Sequence, residues 1–459
     1  MVKILYNDDI KFVHSKGENY MSFYRHLNGP ISVQIEMTNM CNCNCIYCYN
    51  YWRGNDFVPK FLSYDQIDQI VSQLVREKVF HVVITGGEPL LCFEKTCYIV
   101  SKLLNCGINV NLNTNAQLLT EVFCQELKKV GLKNMLVSLP SCDPDVHKII
   151  TNSNGFLKTV NGIDLAVKNG FSVSVNMVVN KKNVNHVFET AMFVANYGVK
   201  SFSATKATPP VGVDLNKFKE IDLSDDEFQK TFYSLIKIQE DLKMNINVLE
   251  CYPLCSFPDD FRLSRLTSHQ CLAGVTNCTI GTDGETRPCT HSHLTYGNVF
   301  SESLSIIWER MKDWRNGEMI PKKCKECNLL KSCSGGCRME SYARTGKINE
   351  LDRWANPNNI VFKELLNSQK MVIVSAQSKL CINKNVKSRT DNDCSILSVS
   401  SPLIVSQDVE KFVMDYVENK SFTPEEIAKK YQLNLRQVLH VISKLVRKKI
   451  IIKIWKERR

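Results

Sequence analysis

Between about residues 31 and 205 the chain alternates short β-branched runs with amphipathic stretches, and this rhythm constrains the fold more than any other feature. Strand-like runs fall at 31–36, 80–85, 108–113, 135–139, 173–179 and 200–204. Helix-like stretches such as 118–129 and 184–196 lie between them. Ser63-Tyr-Asp-Gln66 has the form of a capping box, and an amphipathic run follows it to Glu77. Strands joined through helices must run parallel, with right-handed crossovers. The chain is therefore expected to be an α/β protein built on one parallel sheet. Chemistry in such sheets collects at the carboxyl ends of the strands.

The first strand ends at Cys41-Asn-Cys-Asn-Cys45-Ile-Tyr-Cys48. A cubane iron–sulfur cluster has four irons, and protein thiolates usually supply four ligands. Three closely spaced thiolates, from Cys41, Cys45 and Cys48, hold three irons and leave the fourth open to a small molecule. The competing reading is structural zinc, but zinc loops usually join one C-x2-C pair to a second. Cys43 reads as a bystander between its neighbours. The second strand ends at Gly86-Gly87-Glu88-Pro89. Gly-Gly alone is ordinary turn chemistry; its place after a strand gives it weight. Asn115 and Ser138 fall at the ends of the third and fourth strands, and Asn176 lies in the fifth.

Composition sets the outer bounds. A chain of 459 residues is expected to form two or three domains. Its 44% hydrophobic and 23% charged content suits a globular chain. The start has no signal-peptide layout, and no apolar run is long enough to span a bilayer. A cytoplasmic location without membrane contact is expected, where thiols stay reduced. Twenty cysteines there call for metal rather than disulfides, and imply oxygen sensitivity. The net charge of +11 reads as a solvated Lys-rich surface.

The C-x3-C-x2-C spacing, with Tyr47 before the last cysteine and the GGEP motif some forty residues on, resembles the radical SAM superfamily. The resemblance implies a partial (β/α)6 barrel, open on one side for large substrates. It implies a [4Fe-4S] cluster on Cys41, Cys45 and Cys48 whose open iron binds S-adenosylmethionine through its amino and carboxylate groups. Reductive cleavage then gives a 5′-deoxyadenosyl radical. It further implies cofactor contacts from Tyr47, Gly86, Gly87, Glu88 and Pro89, with Glu88 holding the amino group. Asn113, Asn115, Ser138 and Asn176 would approach the ribose side. An electron donor such as flavodoxin or ferredoxin is expected.

A second cysteine system follows: Cys271, Cys278 and Cys289, then Cys324-x2-Cys327-x5-Cys333-x3-Cys337. Alone, the last run could be one zinc site. After a radical SAM core it resembles the SPASM extension, together with Gly281-Thr-Asp-Gly284 and Tyr296-Gly-Asn-Val299. That resemblance implies two auxiliary [4Fe-4S] clusters, one on Cys271, Cys278, Cys289 and Cys337, the other on Cys324, Cys327 and Cys333. The family normally supplies a further cysteine fifteen to twenty residues after the run, and this chain has none there. Asp352 is the expected substitute; Cys381 or an open iron are the alternatives. Cys251 and Cys255 lie just upstream, and either compete for a cluster or pack as buried thiols.

Residues 388–402 are rich in Ser, Thr, Asn and Asp and read as a linker. Beyond them, helical patterns at 409–419, 427–431 and 435–448 and an alternating run at 450–455 outline a winged helix. Thr423 and Asn434 are the expected N-caps, with Pro424 at the first helical position. Its basic residues, including Arg436, Arg447, Lys456, Arg458 and Arg459, allow DNA binding. Beside a radical SAM core, the module instead resembles the peptide-recognition element of natural-product maturases, which adds a leader peptide as a strand. Peptide is favoured over nucleic acid because substrate delivery explains the fusion. The expected organisation is an N-terminal segment (1–30), a radical SAM partial barrel (31–240), a cysteine-rich SPASM domain (241–387), the linker (388–402) and the winged-helix-like module (403–459). The expected function is maturation of a ribosomally made precursor peptide by a thioether or carbon–carbon crosslink, the auxiliary clusters taking up an electron. The alternatives are a formylglycine-forming sulfatase maturase, for which no base is evident by spacing, and a redox-sensing DNA-binding regulator.

Overall fold

The computed structural model describes residues 26–50, 57–257, 261–266, 270–327, 329–356, 374–392, 394–399, 401–417 and 421–454. The chain divides into two compact units, Gly29–Ser368 and the combination of Met1–Asn28 with Gln369–Arg459. Most of the expected N-terminal segment, the strand end at Trp455 and the basic residues Lys456, Arg458 and Arg459 lie outside the described residues.

The larger unit is built on the predicted parallel strands. They are β1 (Ser32–Glu36), β2 (His81–Thr85), β3 (Asn109–Thr114), β4 (Asn134–Ser138), β5 (Ser172–Val179) and β6 (Ser201–Lys206). Each pairs in parallel with the next, in sequence order. Alternate residues such as Val33 and Ile35, Val82 and Ile84, and Val110 and Leu112 are buried. The expected capping box is present: Ser63 Oγ accepts from the Gln66 amide, and Gln66 Oε1 from the Ser63 amide. That cap opens the helix Tyr64–Arg76, whose Ile67, Ile70 and Leu74 are buried.

The sheet is wider than the six expected strands. β7 (Asn245–Asn247) extends it beside β6, and β8 (Asn277–Ile280) joins the other edge in parallel with β1. β9 (Thr286–Arg287) returns antiparallel to β8. The order is β7-β6-β5-β4-β3-β2-β1-β8-β9. The start of the second cysteine system is thus part of the central sheet, with Cys278 in register with Val33. Among the described residues no helix is long and apolar enough to cross a membrane.

In the smaller unit β10 (Leu380–Ile382) pairs antiparallel with β14 (Ile451–Lys453). β11 (Lys387–Thr390), β12 (Ser395–Ser398) and β13 (Pro402–Val405) form an antiparallel sheet of three, with β12 central. This corrects the linker reading of 388–402. The Ser-rich composition that suggests a linker is strand here, because Ile396 and Leu397 bury fully. The flanking polar groups find partners: Ser395 donates to Glu410 Oε2 at 2.5 Å, and Arg389 pairs with Asp391 at 3.0 Å. Helices Gln407–Tyr416, Pro424–Lys430 and Leu435–Arg447 follow, the last two capped by Thr423 and Asn434 as expected. Phe412, Val413, Val438, Ile442 and Leu445 close a core against Leu380, Ile382 and Ile451.

Candidate active site

The cysteine loop and the Gly-Gly turn touch through backbone. The Gly87 amide donates to Thr38 O and the Glu88 amide to Met40 O, both at 2.7 Å. A Cβ on Gly87 would lie 1.9 Å from Met40 O, and one on Gly86 would lie 2.4 Å from Thr38 O. Gly86 also has φ +139°, a value that favours glycine. Only two glycines let the turn seat the cysteine loop. On its other side the loop is held by the helix Pro144–Thr151, whose Ile150 and Thr151 carbonyls accept from the Ile46 and Asn44 amides at 2.9 Å.

The ends of β1 to β6 surround a cavity of about 290 Å³. Cys41, Cys45 and Cys48 line it, with Cys43 and Tyr47 from the same loop. Gly86, Gly87 and Glu88 form another wall, and Asn113, Asn115, Ser138 and Asn176 contribute from β3, β4 and β5. Of the residues expected around the cofactor, Pro89 alone is not in the lining. It begins the 3₁₀ turn Pro89–Cys92, which Glu88 caps.

Glu88 is buried and heavily used. Its Oε1 accepts from Thr114 Oγ1 at 2.7 Å and the Leu90 amide at 3.1 Å, and its Oε2 from the Asn115 amide at 2.8 Å. Burial raises its carboxyl to about 7, against these hydrogen bonds, which lower it. Glu88 therefore fixes the end of β3 as well as facing the cavity, and a cation placed beside it would favour its charged form. Cys43 is more than a spacer: Gln117 Nε2 donates to its Sγ at 3.2 Å, and its own amide donates to Cys41 Sγ at 3.4 Å. Asn115 Nδ2 donates to Asn42 Oδ1 at 2.7 Å, tying the end of β3 to the cysteine loop.

Four further residues in the lining escape sequence reading. Tyr49 stacks on His291 with ring centroids 4.6 Å apart. His291 Nε2 lies 3.5 Å from Glu250 Oε1. At the end of β6, Lys206 Nζ contacts Glu250 Oε2 at 3.1 Å, Glu340 Oε2 at 3.0 Å and Thr208 Oγ1 at 2.8 Å. Burial lowers the Lys206 ammonium, but Glu250, Glu340 and Asp352 outweigh it and hold the group well above its ordinary range. Burial drives His291 the other way, toward the neutral ring. A lysine after a strand ordinarily reads as surface. Its burial here depends on carboxylates far along the chain, so no local signal marks it.

Glu250 and His291 also line a second cavity of about 210 Å³, so the two spaces share a wall. Cys271, Cys278, Cys289 and Cys337 line this second cavity, and so does Cys251. Cys324 and Cys333 lie elsewhere: Cys324 Sγ is 3.5 Å from the position of a Gly335 Cβ, and Cys333 Sγ accepts from the Leu254 amide at 3.3 Å. Cys327 is exposed, and its Sγ accepts from the Leu329 amide at 3.4 Å. Asp352, the expected substitute for the missing cysteine, is bonded to the backbone of the cysteine run. Its Oδ2 accepts from the Cys337 amide at 2.9 Å and its Oδ1 from the Trp354 amide at 3.0 Å, in full burial. The carboxylate holds the turn around Gly336. Cys381 belongs to β10 in the smaller unit.

The donor sets suit iron–sulfur clusters. The first cavity gathers its thiols from the single loop 41–48, and the second gathers thiols from segments as far apart as Cys251 and Cys337. Burial pushes the Cys289 thiol up to about 12, whereas the hydrogen bond with Cys251 draws the Cys271 thiol down; a bound metal cation favours the thiolate form of each. Among the described residues no three such side chains already stand at metal-gripping distance; the cysteines share cavities rather than closed cages.

Comparison with known families agrees with this geometry. The family model described as Radical SAM superfamily matches residues 35–194, and the iron–sulfur cluster-binding SPASM model matches 271–328. The chain carries a radical SAM domain followed by a SPASM domain. Such domains bind a [4Fe-4S] cluster with S-adenosylmethionine and auxiliary iron–sulfur clusters respectively. Among curated proteins it is similar to the AdoMet-dependent heme synthase of Methanosarcina barkeri, 24% identical over 70% of this chain and 95% of the relative. It is also similar to the mycofactocin maturase MftC of Mycobacterium tuberculosis, 25% identical over 70% of this chain and 81% of the relative. Among solved structures, anSMEcpe with bound AdoMet superposes with TM-score 0.59 at 18% identity, covering 74% of this chain and 99% of that one. SuiB of Streptococcus suis gives TM-score 0.58 at 20% identity, covering 72% and 78%. These two likenesses are of fold.

Proposed function

We propose that the chain matures a ribosomally made precursor peptide, closing a thioether or carbon–carbon crosslink within it. The observation that carries this reading is the smaller unit. After a radical SAM and SPASM core in sequence come a three-stranded antiparallel sheet and three helices. β13 is the last strand in the order of that sheet. Pro402, Leu403 and Ile404 there are only half-buried. An apolar edge of this kind suits addition of an extended peptide as a further strand. Mycofactocin maturase and the sporulation killing factor maturation protein SkfB of Bacillus subtilis, 26% identical over 61% of this chain, are relatives whose names point the same way. So does the structure of SuiB bound to its precursor peptide SuiA.

Cys41, Cys45 and Cys48 would hold the cluster in the first cavity, and with S-adenosylmethionine it would supply the one-electron chemistry for hydrogen abstraction from a substrate carbon. The chain's own residues set the stage for it. Gly86 and Gly87 seat the cysteine loop, and Asn115 ties it to β3. Glu88 is placed to hold a cationic amino group. The cavity can hold a reacting carbon in place. On its far wall, Glu250 and the neutral His291 can take a proton from a substrate thiol or backbone. These two groups would also serve a formylglycine-forming reaction. The strand-adding module is what favours a precursor peptide over a folded sulfatase.

The test uses the reduced, reconstituted full chain with S-adenosylmethionine and the short peptides encoded by neighbouring reading frames. The expected product is 5′-deoxyadenosine together with one peptide lighter by two hydrogen atoms per crosslink. Ile404→Pro, which blocks the outer edge of β13, is expected to cut peptide turnover at least about tenfold while leaving peptide-independent cleavage unchanged. Equal turnover by the variant would remove the role given to the module.

A further inference from the structure

The segment Cys251-Tyr-Pro-Leu-Cys255 follows β7, and a short 3₁₀ turn, Leu254–Ser256, folds it back. Its two cysteines part company. Cys251 lines the second cavity beside Cys271, Cys289 and Cys337. It hydrogen-bonds Cys271 and lies in the field of Cys337. Cys271 in turn acts on both Cys289 and Cys337. Cys278 is also in this cavity, but it sits in the middle of β8, and burial alone bears on its thiol.

Cys255 faces the other set. The charges that act on its thiol are those of Cys333 and Cys324. The amide of the adjacent Leu254 donates to Cys333 Sγ at 3.3 Å, which lays the turn on that cysteine. The Asn356 amide donates to Cys255 Sγ at 3.2 Å, so the chain after Asp352 also converges there. A sulfur that accepts a backbone amide beside two further thiols suits a cluster ligand. Asp352 is a harder donor than a thiolate.

We infer that this five-residue segment supplies one thiolate to each auxiliary cluster: Cys251 joins Cys271, Cys289 and Cys337, and Cys255 joins Cys324, Cys327 and Cys333. Each thiol releases its proton as its sulfur–iron bond forms. The missing downstream cysteine is then replaced by an upstream one. The turn at Leu254 becomes a short covalent link between the clusters, and Glu250, next to Cys251, places one end of it at the first cavity. The assignment rests on the auxiliary-cluster reading of the SPASM domain, and the test separates the two.

The full chain is reconstituted anaerobically, and iron content and electron paramagnetic resonance are measured, without reference to turnover. Wild type is expected to hold about twelve irons, four per cubane. Cys255→Ser is expected to lose about four irons or to alter the signal of one auxiliary cluster, and Cys251→Ser to do the same to the other. Cys278→Ala and Asp352→Asn are expected to leave both signals in place. Cys251→Asp and Cys255→Asp guard against a merely structural loss. Each is expected to retain iron with a shifted signal, since a changed ligand changes the cluster's electronic properties. Wild-type iron and spectra in both serine variants, or altered signals in Cys278→Ala or Asp352→Asn instead, would overturn the assignment. Wild type holding only about four irons would overturn the auxiliary-cluster reading itself, and this assignment with it.

Discussion

Gly87→Ala is expected to abolish radical chemistry while leaving most of the chain folded. The added methyl would lie 1.9 Å from Met40 O, which is backbone and has no rotamer to change. Either the turn after β2 withdraws or the cysteine loop moves. Both break the paired bonds from the Gly87 and Glu88 amides to Thr38 O and Met40 O. Overpacking ordinarily costs ~1–3 kcal/mol, and a backbone neighbour puts this site at the upper end. The functional cost is larger, because a shift of about 1 Å at a reacting centre can cost on the order of 100-fold in rate. Formation of 5′-deoxyadenosine is expected to fall by at least that factor, with a lowered iron content. Gly29→Ala is the control, since its methyl would meet nothing nearer than 3.5 Å. Gly87→Ala activity within about threefold of wild type would show that the turn does not position the cysteine loop.

Lys206→Met is expected to destabilise the larger unit by about 3–5 kcal/mol, the usual result of leaving buried charge without its partner. Lys206 is 1% exposed at its side chain and Glu340 is 0% exposed. Methionine fills similar space but leaves Glu340 to Arg344 alone and Glu250 to a neutral His291. On heating, the transition of the unit carrying the site is expected to fall on the order of 10 °C. The pH dependence has a definite sign. Burial would raise the Glu340 carboxyl, but Lys206 and Arg344 together hold it below its ordinary 4.5. A carboxyl depressed in the folded state gives stability that is present above the unfolded value and lost as pH falls. The gap between wild type and Lys206→Met is therefore expected to narrow in acid. Adding Glu340→Gln to the variant is expected to recover part of the loss. A melting change under about 1 kcal/mol at neutral pH would mean that water reaches these groups.

What the sequence revealed follows from the range of the forces involved. Strand and helix periodicity is local, so β1 to β6 and the capped helices were legible, as were the loops at the strand ends. β7, β8 and β9 span three, four and two residues, too short to show a period, and their places at the sheet edges come from long-range pairing. Residues 388–402 read as a linker by composition because apolar residues such as the neighbours Ile396 and Leu397 are few in a polar run, and the burial of that pair comes from the folded sheet. Lys206, Glu250 and His291 gain their character only when distant segments meet. Asp352 stands out in the sequence only by its distance from the cysteine run, which carries no sign of its bonds to the Cys337 and Trp354 amides.

We propose that Cys41, Cys45 and Cys48 hold a cubane with one iron left for a small molecule. Mössbauer spectroscopy of the full chain loaded with iron-57, before and after S-adenosylmethionine, tests it most directly. The account predicts that the additive changes one iron of a single cluster, and that a Cys45→Ala variant shows no such change. Spectra indifferent to S-adenosylmethionine, with all clusters assembled, would contradict it.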